Sequence, residues 1–173
     1  MKDVFLLYDT SCFFEIVILN YFMGQTGCET VFCSLGGKPV RAAEGYSVNV
    51  DMAFNELDPG QIRSFFIPGG DISRVDTDDV KNCLRELKRR QILIGGICAG
   101  TDLLEHAGIL HGLRSTHSTD QDLVNDCRVI TARANAYVDF AVETAKELGL
   151  FEDEADLRET LDFWKYHKRP EEN

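Results

Sequence analysis

Several short stretches of the chain are apolar with almost no polar alternation: residues 4–8, 65–67 and 92–97. Runs of this kind suit strands buried on both faces of a parallel sheet. Residues 29–35 add a further strand before a turn at Gly36, Gly37 and Pro39. Between the strands the period changes. Val80, Cys83, Leu84 and Leu87 follow helical spacing within residues 76–90, with Asp78 and Asp79 at the start and Lys88, Arg89 and Arg90 at the end, as the helix dipole favours. Residues 13–23 read as a strongly apolar helix closed by Gly24, and a helix after Cys98 runs through Leu104 to stop near Gly108. Val138, Ala141, Val142, Ala145 and Leu148 share one helix face ended by Gly149. An acidic amphipathic helix over residues 153–167 turns Leu157, Leu161 and Trp164 inward.

The remaining segments are shorter. Tyr46, Val48 and Val50 alternate with polar residues, which predicts a half-exposed strand or hairpin, and Asp58-Pro59-Gly60 is a turn. Residues 109–118 read as an extended excursion and residues 128–132 as the last strand. Strands alternating with helices over this length predict one doubly wound α/β sandwich, residues 1–173, with 151–173 as a C-terminal helix and tail. In such sheets the binding crevice lies outside the carboxyl ends of the strands. Residues 9–15, 68–71 and Cys98 all fall at those ends.

Composition narrows the functional classes. At 173 residues, 44% hydrophobic and 27% charged, the chain has the make-up of one globular domain. Its formal charge of -11 disfavours nucleic acid and anionic membranes as partners. Asp3, Asp9 and Glu15 interrupt the first apolar run, so it reads as a core strand rather than a leader, and no stretch is long enough to span a bilayer. The six cysteines show neither a C-x-x-C pair nor zinc-ligand spacing. A reducing, cytoplasmic setting without a metal is therefore expected.

The chemistry concentrates at G-I-C-A-G, where Gly96 and Gly100 bracket Cys98 between a buried strand and a helix. This is the cysteine form of the sharp strand-to-helix turn that exposes a nucleophile. A thiol over the unpaired N–H groups of a helix start is expected to ionise more readily. The same pattern also suits an ordinary buried thiol or a phosphate cradle. Glu15 is the single charge between Cys12 and Thr26. It either complements a helix dipole or, hanging over the sheet edge, stays protonated and donates to a neighbouring thiolate. Gly69 and Gly70, after the strand at 65–67, either form a plain loop or turn backbone N–H groups toward an oxyanion. No G-x-G-x-x-G loop follows the first strand, which argues against a dinucleotide or flavin and leaves no cofactor expected.

Taken together, I-C-A-G, P-G-G one strand earlier, the lone glutamate, S-T-H-S and I-T-A-R-A-N resemble the ThiJ/PfpI superfamily over residues 1–150. The resemblance implies a flavodoxin-like fold, commonly a homodimer, with Cys98 as reactive thiol and Glu15 as its hydrogen-bond partner. It further implies an oxyanion hole from the amides around Gly69, Gly70 and Ala99, and matches His117 to a histidine near the thiol in the deglycase-like branch. Ala99 stands where protease-like members have histidine, and Ser118-Thr119 replace the H-x-E pattern of glutaminases. Isonitrile hydratase-like members usually carry aspartate and threonine where Glu15 and Ala99 stand here. Glu44-Gly45 occupy the place of an anion-binding arginine in the deglycase-like branch. The implied activity is a cysteine hydrolase or lyase acting on a reactive carbonyl, amide or nitrile-like carbon. The competing class is a stress protein that senses oxidants through Cys98, in a minor form with Cys12 trapping a sulfenate as a disulfide.

Overall fold

In the computed structural model, which describes residues 1–169, the apolar runs pair side by side and the periodic segments cover both faces of the sheet they form. Strand β1 (Lys2–Leu6) leads through a 3-10 turn at Phe13–Glu15 into α1 (Val17–Gln25) and then β2 (Thr30–Ser34). A small hairpin, β3 (Val40–Arg41) and β4 (Ser47–Val48), and an edge strand, β5 (Met52–Ala53), precede β6 (Ile62–Ile67), α2 (Asp78–Arg89) and β7 (Leu93–Ile97). Next come α3 (Ala99–His106), β8 (Leu123–Asp126), β9 (Val129–Ala132), α4 (Tyr137–Glu147) and α5 (Glu154–Trp164). The described residues form a seven-stranded sheet in the order β5-β2-β1-β6-β7-β9-β8, parallel except where β8 runs against β9. This is the doubly wound α/β sandwich that the alternating pattern predicts, of the flavodoxin-like kind that the resemblance implies.

Unbroken apolar strands are explained by a core on each side. Val4, Leu6, Phe65, Ile67 and Ile94 pack against Val80, Leu84 and Leu87 of α2 and Leu103 and Leu104 of α3. Their neighbours Phe5, Phe66, Leu93 and Ile97 face the other way, onto Leu19, Phe22 and Met23 of α1 and Phe140 and Ala145 of α4. Burying one such side chain contributes about 1.5–3 kcal/mol, so β1, β6 and β7 anchor both layers at once. Leu157, Leu161 and Trp164 of α5 join the second layer at its margin, as their spacing predicts. The end of the predicted tail, residues 170–173, lies outside the described residues.

Buried within the amino-terminal edge of the sheet, Asp3 is fully shielded from water. Arg63 donates to both its oxygens, at 2.9 and 2.5 Å, and Ser64 Oγ donates at 2.6 Å. The same Arg63 Nη2 lies 2.8 Å from Cys28 Sγ. A buried carboxylate is tolerable when paired and hydrogen-bonded in this way.

Two expectations are corrected. The helix predicted over residues 13–23 is divided at Ile16, whose φ of -121° and ψ of -8° lie outside the helical range. The N–H of Cys12 donates to Gly69 O at 2.9 Å and that of Phe14 to a Glu44 carboxylate oxygen at 2.8 Å. These contacts hold the first turn as a separate 3-10 piece and carry Glu15 inward. Residues 109–118 form successive turns instead of an extended segment, because Ser115 and Ser118 bond each other's backbone and Thr131 Oγ1 takes the N–H of Thr116 at 3.0 Å. The strand or hairpin expected at 46–50 is the second arm, Ser47–Val48, of the β3–β4 hairpin, while β5 and β8 join the sheet without having been anticipated.

Candidate active site

Cys98 occupies the bend between β7 and α3 with φ of 54° and ψ of -128°, a region that side-chain-bearing residues rarely adopt. Holding it there costs roughly 1–3 kcal/mol. Its N–H donates to Ala132 O of β9 at 2.8 Å, and Thr101 Oγ1 donates back to Gly96 O at 3.0 Å. Gly100 makes the bend possible, because a Cβ there would sit 2.1 Å from Ile67 O. Only a glycine lets α3 start this close to β6.

The divided first helix delivers the second group. Glu15 is 2% exposed, and its Oε2 accepts the Gly69 N–H at 2.6 Å. A Cβ on Gly69 would lie 2.8 Å from that oxygen, 2.8 Å from Cys98 Cβ and 3.0 Å from Cys98 Sγ. Sulfur and carboxylate therefore meet around one bare glycine. The surrounding loops are fixed by Tyr8, whose hydroxyl donates to Pro68 O at 2.7 Å, and by Thr10 Oγ1, which accepts the Asp71 N–H at 2.7 Å. In the sequence Thr10 falls within the 9–15 stretch expected at this edge, whereas Tyr8 reads only as the last residue of a buried strand.

The electrostatics run against one expectation. Burial pushes the Glu15 carboxyl above the usual carboxylate range, while the Gly69 N–H and Cys98 pull it back. The Cys98 thiol is also pushed up, first by burial and then by the charge of Glu15, and the Ala99 N–H at the helix start opposes this without overcoming it. The predicted lowering by the helix terminus is thus outweighed by an acidic neighbour in a poorly solvated place. Cys12, on the same edge, is pushed up to about 11 by burial and Glu15. As a residue Cys98 is nonetheless exposed at the sheet's carboxyl edge.

The structure brings Cys98, Glu15, Gly69 and the Ala99 N–H together. The Gly69 N–H is committed to Glu15, whereas the Gly70 N–H has no protein acceptor among the described residues. His117 is placed otherwise: its Nδ1 lies 2.7 Å from Glu105 Oε2 and its Nε2 3.1 Å from Asp102 Oδ1. Both carboxylates belong to α3. Asp102 went unnoticed in the sequence, although a carboxylate four residues after Cys98, hence one helical turn along, was the available signal. Among the described residues no group of three or more His, Cys, Asp or Glu is arranged to hold a metal ion, and no helix is long and apolar enough to cross a membrane.

Fold and edge together define a doubly wound α/β protein with a cysteine at a strand-to-helix elbow and a buried glutamate beside it. The sequence model of the DJ-1/PfpI family matches residues 1–147, and the chain belongs to that family. It is 29% identical over 119 residues to Deglycase TK1284 of Thermococcus kodakarensis, covering 67% of this chain and 71% of that protein. An 83-residue stretch, 48% of this chain, is 39% identical to the HTH-type transcriptional regulator CdhR of Pseudomonas aeruginosa and spans only 24% of that regulator. Among solved structures, the DJ-1 superfamily protein Atu0886 of Agrobacterium tumefaciens superposes with a TM-score of 0.85 at 29% identity, over 97% of this chain and 100% of that one. Drosophila melanogaster DJ-1beta, at 18% identity and a TM-score of 0.79 over 98% of each chain, shares the fold.

Proposed function

We propose that the chain is a single-domain, cysteine-dependent enzyme that adds the Cys98 sulfur to a small electrophilic carbon, a reactive carbonyl, amide or nitrile-like group. The observation that carries this reading is the meeting of Cys98 and Glu15 around Gly69 at the open carboxyl edge of the sheet. Glu15 acts as the base. Its carboxylate, made more basic by burial, takes the thiol proton as sulfur bonds to the carbonyl carbon, and the C=O electron pair moves onto oxygen. The Gly70 and Ala99 N–H groups face the developing oxyanion, and Glu15 then returns the proton to that oxygen. His117 stands one step back and works through Asp102. The similarity to proteins named deglycases supports a hydrolase or lyase type. No cofactor enters this scheme.

Purified wild type and Cys98→Ala tested on methylglyoxal, small amides and isonitriles decide the matter. Turnover confined to wild type supports the proposal, and equal turnover by both contradicts it. The reading carries a cytoplasmic homodimer with it: Phe14, Val17 and Tyr21 form an exposed apolar stripe along the α1 side, open to a second copy of the chain. Light scattering at twice the mass of the 173-residue chain is the expected result.

A second reading, oxidant sensing through Cys98, is favoured by the exposure of that residue beside a carboxyl able to hold a sulfinate. Preferential oxidation of Cys98 under mild peroxide, without turnover of any carbonyl, would select it. A Cys12–Cys98 disulfide in the same experiment would mark its sulfenate-trapping form.

A further inference from the structure

We infer that the crevice around Cys98 selects uncharged or cationic electrophiles and turns anionic ones away, with Asp102 as the residue that sets this preference at the mouth. The inference rests on the thiol reading above and adds the charge class of the substrate. Two carboxylates flank the sulfur from separate elements. Glu15 comes from the 3-10 turn and is sealed beneath it. Asp102 comes from the first turn of α3, four residues after Cys98, and is near enough for its charge to act on the thiol. Its carboxylate is 48% exposed and so open to solvent.

His117 holds Asp102 in that place. With Nε2 on Asp102 and Nδ1 on Glu105, the ring is clamped between two carboxylates of one helix. Both nitrogens donate only when the ring is cationic, and even then two negative charges surround one positive charge. A third carboxylate, Glu44, is fixed beside Glu15 by the Phe14 N–H at 2.8 Å. The thiol itself registers this surplus, since Glu15 and then Asp102 both push it up.

The nearby cations are directed elsewhere. Arg133, next to the end of β9, reaches Asp122 at 3.5 Å, and Arg74 reaches Asp71 at 3.6 Å. The Arg41 guanidinium lies beside Gly45, and the Arg41 backbone N–H donates to Asp9. Among the described residues no lysine or arginine forms an ion pair with Glu15, Glu44 or Asp102. A cleft lined by one sign of charge concentrates ligands of the opposite sign and excludes its own.

A matched pair of methanethiosulfonates tests this, one reagent bearing trimethylammonium and the other sulfonate. Each forms a disulfide with Cys98 and releases methanesulfinate, and peptide mass spectrometry reads Cys98 apart from the other cysteines. Rates are divided by those of the same reagents with a free small thiol. At low salt the cationic reagent is expected to label Cys98 about tenfold faster, a ratio that Asp102→Asn lowers about threefold and added salt narrows. Equal rates in wild type, or a ratio unmoved by Asp102→Asn, would overturn the charge selection while leaving the thiol reading intact. Labelling of Cys98 by neither reagent would remove both readings.

Discussion

Asp3 and Glu15 are two carboxylates sealed within the same sheet protein, one toward the amino edge and one at the carboxyl edge, and their surroundings differ in kind. Asp3 receives both arms of Arg63 and the hydroxyl of Ser64. Glu15 receives one backbone N–H and faces a thiol, with no cation paired to it among the described residues. The cysteines repeat the contrast, since Cys28 meets the Arg63 guanidinium while Cys98 meets the Glu15 carboxyl. A buried acid bonded to a cation has its charge settled and serves the fold. A buried acid left beside a thiol keeps a proton in play, which is of use to chemistry.

The largest effect that separates the two ends is expected from Cys98→Ala. It should lower turnover of small carbonyl substrates by at least about a thousandfold, as loss of a nucleophile does elsewhere, with circular dichroism unchanged. Glu15→Gln should lower kcat by roughly a hundredfold, the scale of a missing general base. Asp3→Asn breaks the pairing at the other end and should destabilise the fold by about 3 kcal/mol in denaturant titrations. Its Cys98 alkylation rate, measured under folding conditions, should match wild type.

A smaller effect has the opposite sign. The Glu15 carboxyl is raised in the folded chain, so the stability it lends is full below the ordinary carboxylate range and is lost as pH rises through the folded value. Glu15→Gln should therefore raise Tm by about 2–4 °C at neutral pH, the shift expected of roughly 1 kcal/mol, and by less under acid conditions. A variant at once more stable and less active would mark Glu15 as placed for chemistry at a cost to the fold.

Much of this arrangement was legible in the residues. The unbroken apolar runs of β1, β6 and β7 announced strands covered on both faces, and G-I-C-A-G announced the bend, because each pattern answers a local steric demand. Two-residue strands such as β5 carry no period to read. The division at Ile16 was hidden for another reason, since an apolar stretch does not record that Gly69 and Glu44 will capture its backbone N–H groups. The same long-range contacts decide the electrostatics. Sequence indicates a helix start beneath Cys98 and so a readily ionised thiol; only the folded chain shows Glu15 carried in alongside to push the thiol the other way.

The proposed role of Glu15 as base to Cys98 is tested most directly by the pH dependence of Cys98 alkylation with iodoacetamide, followed peptide by peptide in wild type and Glu15→Gln. With the carboxylate charge removed, the thiol of the variant should titrate at lower pH than that of wild type even as turnover falls. A midpoint that moves to higher pH in Glu15→Gln would mean that Glu15 already donates to a resting thiolate, and would contradict its role as the base.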